Sequence, residues 1–230
     1  MTARAAAVIL AAGSGSRVGA PTNKVLLPLA GVAVLTHSVR TVLDVQGVHR
    51  VLLVVRPEDR GAVRDAVAPH LGAHDLWVVD GGEQRHDSEW RALQALAGDI
   101  DAGELDVVAI HDGARPLADA RLWSSVIEAA AEHGGAIPVV PCPRLSHRDG
   151  SVAAEGLVTV QTPQAFRAPE LLGAYRRAER DGFAGTDTAA CLERYADLAV
   201  VGVPSTAHNL KVTWPEDLAL AEALTRGRSD

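Results

Sequence analysis

With 230 residues, 47% of them hydrophobic and 22% charged, the chain has the length and apolar content of one substantial globular core. A formal net charge of −7 and a pI near 5.7 exclude a nucleic-acid coat, which needs a basic face to release counterions, and oblige any anionic ligand to meet a local cluster of cations. The two cysteines, Cys142 and Cys191, lack metal-ligand spacing and read as small buried hydrophobes. With no leader pattern and no apolar run of bilayer length, the expectation is a cytoplasmic protein folded as a single domain over residues 1–230, without membrane or nucleic-acid partners.

Along the chain, short valine-rich runs predict strands buried on both faces at Ala5 to Leu10, Arg50 to Val55, Asp75 to Val79, Asp106 to Ile110, Ala136 to Val140, Val158 to Gln161 and Leu198 to Val203. Helical periodicity separates them at Ala33 to Leu43, Pro57 to Ala68, Ser88 to Ala97, Ala118 to Glu132, Pro169 to Asp181, Asp187 to Tyr195 and Pro215 to Thr225. Strand and helix in alternation predict an α/β fold with a mainly parallel twisted sheet, helices on both faces, and ligands at the carboxyl edge of the strands. The polar, turn-rich stretch 141–157 breaks this rhythm and reads as an excursion, either an arm to a partner subunit or a surface hairpin.

Three places at that edge carry chemistry. The first strand runs into Ala11-Ala12-Gly13-Ser14-Gly15-Ser16-Arg17, with Lys24 beyond, where Gly13 and Gly15 let backbone approach a polyphosphate and the two cations neutralise it. The spacing is not that of a Gly-Lys-Ser/Thr phosphate loop, and Val18 stands where the dinucleotide fingerprint has its third glycine. Next, Gly81-Gly82-Glu83 leads to Ser88, offering donors and acceptors for a nucleobase edge, with helix capping as the structural reading of Ser88. Finally, Asp112 ends the fourth predicted strand within His111-Asp112-Gly113-Ala114-Arg115-Pro116. It is placed either to bind Mg²⁺ or to pair with Arg115, while His111 reads as a satisfied structural group. Lys211 lies in an apolar segment read as a strand before the Pro215 helix, where an ammonium is costly unless it reaches a site or the surface; Trp214 beside it reads as core.

Taken in order, Leu10 to Arg17 with Lys24, Gly81-Gly82 with Arg85 and Ser88, His111-Asp112 with Ala114-Arg115-Pro116, Gln161-Thr162-Pro163-Gln164-Ala165-Phe166, Thr186-Asp187, and Asn209-Leu210-Lys211-Val212-Thr213 with Pro215-Glu216-Asp217-Leu218 resemble the 2-C-methyl-D-erythritol 4-phosphate cytidylyltransferase family. The resemblance spans nearly the whole chain, and the ribitol 5-phosphate cytidylyltransferases are similar. It implies a Rossmann-like nucleotidyltransferase that takes CTP as co-substrate with Mg²⁺, in which Arg17, Lys24 and Lys211 stabilise phosphate charge. It further implies that Ala11, Ala12, Gly13, Gly15, Gly82, Glu83 and Ser88 hold CTP. Asp112, Arg115, Thr162, Thr186 and Lys211 would face a phosphorylated polyol, with Asp112 also toward the metal, and the arm would form a homodimer.

Several positions depart from the pattern that the resemblance implies. Arg144 and Leu145 occupy the usual Asp-Thr positions of the arm and Ala154 the usual arginine, with Arg144 and Arg148 out of register. Gly113 stands for alanine, Thr188 for the acidic residue after Thr186-Asp187, and Glu89-Trp90 for apolar residues after Ser88. The nucleotide half is kept and the acceptor half altered. Two alternatives follow: the same chemistry on another alditol phosphate such as ribitol 5-phosphate, and a degenerate nucleotide-binding homodimer.

Overall fold

The computed structural model describes residues 2–13, 23–142, 148, 156–185 and 188–227; Gly15, Arg17, Arg144, Leu145, Ala154 and Thr186 lie outside the described residues. In chain order the elements are β1 (Ala5–Leu10), β2 (Pro28–Leu29), β3 (Val32–Ala33), α1 (Val34–Leu43), β4 (Val48–Val55), α2 (Arg60–Val67) and β5 (Trp77–Asp80). There follow α3 (Arg85–Asp101), β6 (Val107–Asp112), α4 (Ala120–His133), β7 (Gly135–Pro141), β8 (Val158–Val160), β9 (Gln164–Arg167), α5 (Ala168–Asp181), α6 (Thr188–Tyr195), β10 (Val200–Pro204) and α7 (Pro215–Arg226).

Among the described residues the main sheet has eight strands in the order β10-β7-β9-β6-β1-β4-β5, with β8 added against β7. β1 lies parallel between β4 and β6, and its residues Ala5 to Ile9 are fully buried, which is why the run does not alternate in polarity. One face is covered by α1, α2 and α4 through Leu35, Val63 and Trp123, the other by α3, α5 and α6 through Leu93, Tyr175 and Leu192. The register pairs Leu10 with both Val54 and Asp112, and Val55 with Asp80, so the strands end level and the loops after β1, β5 and β6 meet at one edge. No described helix is long and apolar enough to cross a membrane.

The sheet is mainly parallel, as the alternation of strand and helix predicts, with β8 and β9 added to it in antiparallel pairings. β9 was not foreseen: four residues after a proline, with polar Gln164 and Arg167 at its ends, give no periodic signal, yet it pairs antiparallel with both β6 and β7. Its Phe166 lies opposite Gly135, where a Cβ would come within 2.7 Å of the ring. The third helix starts at Arg85 and not Ser88, because Asp87 accepts from the Gln84 N–H in a capping arrangement three residues earlier. Lys211 is not in a strand; the Val212 N–H is satisfied by Ala114 O at 2.8 Å, so the segment is tied to the β6 loop. Trp214 is half exposed rather than core, and Cys142 is only partly covered, while Cys191 is buried.

The two ends of the stretch 141–157 are joined by the antiparallel β7–β8 pairing and by the Cys142 N–H on Leu157 O at 2.9 Å. Phe166 carries the largest apolar side chain of the inserted strand and is fully buried, so Phe166→Ala should lower unfolding free energy by about 3–5 kcal/mol in urea titration. A loss below about 1 kcal/mol would show that β9 is not packed as described.

Candidate functional site

The level strand ends enclose a cavity of about 700 Å³, large enough for a nucleotide-sized ligand. Its first wall is the backbone after β1, where the Ala11 N–H donates to Val54 O at 2.7 Å and Asn23 Nδ2 donates to Ala11 O at 3.1 Å. Asn23 also donates to Asp59 at 2.8 Å, and Asp59 pairs with Arg56 at 2.6 Å, which locks the short turn Lys24–Leu26 beside the loop. Lys24 thereby lines the cavity with Ala11, Ala12 and Gly13.

The second wall is Gly81-Gly82 ahead of α3. Ser88 Oγ accepts from the Gly82 N–H at 3.1 Å and Arg91 Nη1 donates to Gly81 O at 2.7 Å, so the loop is held from the helix it precedes. The glycines are required sterically. A Cβ at Gly81 would lie 2.3 Å from that of Ala12, and one at Gly82 would lie 2.1 Å from that of Asp87. Ser88, accepting from the Gly82 N–H, is a loop anchor and not the helix cap, which is Gln84.

The floor is charged. Asp112, at the end of β6, receives Lys211 Nζ on Oδ2 at 2.8 Å and Arg85 Nη1 on Oδ1, with Arg115 Nε 3.6 Å from Oδ2. Burial disfavours the Asp112 charge, but Arg85 and Lys211 outweigh it and hold the carboxyl well below the usual carboxylate range. Arg85 is likewise desolvated, and Asp112 and Glu89 more than compensate, keeping its guanidinium above its ordinary value. Burial lowers Arg115 in spite of Asp112. Lys24, Arg56, Arg85, Arg91 and Lys211 against Glu58, Glu83 and Asp112 make the lining cationic in an acidic chain.

Beneath the floor a hydrogen-bond chain fixes Asp112. Thr162 Oγ1 accepts from the Asp112 N–H at 3.0 Å and donates to His111 Nδ1 at 3.1 Å, while His111 Nε2–H donates to Arg115 O at 3.1 Å. Arg115 Nη1 donates to Asn209 O at 2.7 Å, and Asn209 Nδ2 reaches Thr162 O at 2.9 Å and Gln161 Oε1 at 3.0 Å. The segment carrying Lys211 is thus bolted to the strand carrying Asp112. Burial pushes the His111 imidazole down to about 4, so the ring is a neutral strut, in keeping with its structural reading.

Of the residues singled out in sequence, Lys24, Ala11, Ala12, Gly13, Gly82, Glu83, Ser88, Asp112 and Lys211 line one cavity. Thr162 and Arg115 do not line it and act on it from below through Asp112, and Gly15, Arg17 and Thr186 lie outside the described residues. The lining residues Arg56, Glu58 and Arg91 were missed, as was the placement of Arg85 on Asp112. Arg85, Ser88 and Arg91 recur at a spacing of three, a stripe on one helix face that signals a shared direction once the helix is started at Arg85.

The sequence profile of the 2-C-methyl-D-erythritol 4-phosphate cytidylyltransferase family matches residues 5–227. The chain belongs to this family. A cytidylyltransferase of that name from Pelotomaculum thermopropionicum is 39% identical, covering 98% of this chain and 95% of the relative. One from Cereibacter sphaeroides is 40% identical over 95% and 96%. Among solved structures, the 4-diphosphocytidyl-2C-methyl-D-erythritol synthase of Anaerococcus prevotii superposes with a TM-score of 0.80 at 26% identity, covering 96% of each chain. The 2-C-methyl-D-erythritol 4-phosphate cytidylyltransferase of Thermus thermophilus gives 0.72 at 29% identity over 95% of this chain and 98% of that one. The expected α/β sheet with helices on both faces is the fold these family members share.

The neutral strut has a pH signature. An unfolded imidazole binds its proton near 6.5 whereas folded His111 resists it down to about 4, so the unfolded state holds more protons between these values. Stability contributed by neutral His111 is complete above about pH 6.5 and is lost as pH falls toward about 4. NMR of the ring should show the neutral Nε2–H form still present at about pH 5.5; a titration midpoint near 6.5 would contradict the Thr162–His111–Arg115 chain.

Proposed function

We propose that this chain transfers CMP from CTP to 2-C-methyl-D-erythritol 4-phosphate and releases pyrophosphate, the reaction after which its family is named. The observation that carries the reading is the juxtaposition, in one cavity, of a glycine-backed loop suited to a nucleotide with a separate cationic floor built on Asp112. Ala11, Ala12, Gly13, Gly82, Glu83 and Ser88 take the nucleoside, with Gly15 completing the phosphate loop. Arg17 and Lys24 serve the triphosphate. Lys211, two-thirds covered and held by Asp112, holds the acceptor phosphate, with Thr186 on the acceptor side and with Arg115 and Thr162 supporting it from below through Asp112.

In the reaction an acceptor phosphate oxygen attacks the α-phosphorus of CTP. That new oxygen–phosphorus bond forms as the bond to the bridging α–β oxygen breaks, and pyrophosphate leaves with the electron pair. No proton need move, so the protein's work is to align two anions and to balance the charge that gathers on the leaving oxygens. Magnesium accompanies triphosphates generally, usually on their oxygens with one or two carboxylates. Asp112 does not fit as its direct ligand while Lys211 and Arg85 occupy both carboxylate oxygens, and no described residues gather into a cluster of three or more metal-ligating side chains.

The substitutions in the arm, Arg144, Leu145 and Ala154, favour a second reading in which the acceptor is another alditol phosphate such as ribitol 5-phosphate. A degenerate nucleotide-binding dimer is disfavoured by the retention of Arg17, Lys24, Asp112 and Lys211 together. For the quaternary state, the apolar side chains of Leu157, Val158 and Val160 exposed at the end of the arm support a homodimer made through it.

Incubation with CTP and a panel of polyol phosphates, followed by pyrophosphate release, tests the reading. 2-C-Methyl-D-erythritol 4-phosphate should be consumed and ATP should not replace CTP. Release with ribitol 5-phosphate alone would move the assignment to the second acceptor, and release with none of them would overturn the transferase. Lys24→Ala and Lys211→Ala should each slow turnover by roughly 10²- to 10³-fold, as loss of a charge-stabilising donor does elsewhere. The melting temperature of Lys24→Ala should stay within about 4 °C of the unaltered protein, and Lys211→Ala should remain folded although Asp112 loses one of its partners; unfolding of both would return these lysines to a structural role.

A further inference from the structure

Behind the floor, and outside the cavity, sits a fully buried carboxylate that the reaction does not touch. Glu89, on α3, has no exposed surface. Its Oε1 accepts from Thr188 Oγ1 at 2.7 Å and its Oε2 from the Tyr175 hydroxyl, while Arg85 Nε stands 2.9 Å from Oε1 at ion-pair distance. Hydroxyl donors therefore converge on the two oxygens from α5 and α6, and the α3 guanidinium of Arg85 stands beside them as an ion-pair partner. His86 stacks on Tyr175 with centroids 4.7 Å apart, and Trp90 flanks the same ring, so the carboxylate is sealed among aromatic groups. A charge placed there is costly unless its partners are fixed.

Arg85 bridges this buried group and the cavity: one side of its guanidinium meets Glu89, and Nη1 meets Asp112, the carboxylate that also receives Lys211. A long arginine lined up between two anions loses the freedom to swing, and what it fixes is the position of Asp112. The same helix grips the chain on either side of positions 186–187: the Gly185 N–H donates to His86 Nδ1 at 3.3 Å, and Thr188 donates to Glu89. The two positions noted in sequence as departures, Glu89 and Thr188, are thus in direct contact.

We infer that Glu89 is a positioning residue, which holds Arg85 against Asp112 and ties the start of α6 to the cationic floor, so that the acceptor side of the cavity is set from behind. This rests on the reading of the cavity as a cytidylyltransferase site and deepens it. The geometry also indicates what can replace Glu89. Thr188 Oγ1 lies 2.7 Å from the oxygen that Arg85 faces, so a carboxylate carried by position 188 reaches the same guanidinium from α6.

The test compares Glu89→Gln with the exchanged pair Glu89→Leu/Thr188→Glu. Glu89→Gln should lower turnover about 100-fold, the effect of a small misplacement at a reacting centre, and raise KM for the acceptor while KM for CTP stays within about twofold. The exchanged pair should recover turnover to within about threefold of the unaltered protein. Independently of any substrate, the Arg85 Nε–H signal in ¹⁵N–¹H NMR should be sharp in the unaltered protein and in the exchanged pair and broadened in Glu89→Gln. Unchanged turnover together with an unchanged Arg85 signal in Glu89→Gln would overturn the inference. So would a folded exchanged pair that stays inactive with the Arg85 signal broadened, including the case in which Glu89→Gln does not fold. Should the unaltered protein turn over no acceptor, the cytidylyltransferase reading fails by itself, and the Arg85 signal still decides the placement of Glu89.

Discussion

A single carboxylate at the end of β6 organises this molecule's chemistry. Asp112 is nearly inaccessible, yet three cations approach it: Arg85 from α3, Arg115 from its own loop and Lys211 from the segment ahead of α7. Removing one partner from such a cluster strands buried charge, typically at a cost of several kcal/mol, so the members hold one another in place. Three cations around one anion also leave positive charge over. The cluster is then both a structural knot joining distant parts of the chain and a platform for anions.

That arrangement explains how an acidic protein can present a cationic cavity. The register of β1, β4, β5 and β6 brings Lys24, Arg56, Arg85, Arg91 and Lys211 to one cavity at the carboxyl edge, where they outnumber Glu58, Glu83 and Asp112. Backbone does the rest: at Gly81 and Gly82 a side chain would collide with Ala12 and Asp87, so this loop presents bare backbone to the cavity. Rigid strands ending in loops of this kind are the usual way an open α/β sheet forms a site. The second layer, from His111 and Thr162 below and from Glu89 and Tyr175 behind, supplies precise placement with groups that never reach the cavity.

Much of this was legible in the residues. The non-alternating runs at Ala5 to Leu10 and Val107 to Ile110 mark strands buried on both faces, and Gly82, Ser88, Asp112 and Lys211 stand out because their types are unusual beside apolar runs. β9 escaped because its pairing is decided by β6 and β7 on either side, a long-range fact with no local period. The apolar neighbours of Lys211 predict a strand, but Val212 packs with Leu29 and Val34 in a small cluster away from the main sheet. Glu89 was legible only as an oddity within a helix. Its meaning needs Arg85, Tyr175 and Thr188, separated by up to 103 residues, to be brought together in space.

The central claim is that Asp112 acts through its negative charge, as the anchor of the cations and not as a binder of the nucleotide. Asp112→Asn keeps the shape and the backbone bond to Thr162 while removing the charge. Measured side by side, CTP affinity by calorimetry should be retained or strengthened, because the cavity becomes more positive, whereas turnover should fall by about 100-fold as Arg85 and Lys211 lose their common anchor. Turnover close to that of the unaltered protein, or a CTP affinity that collapses along with it, would contradict this account.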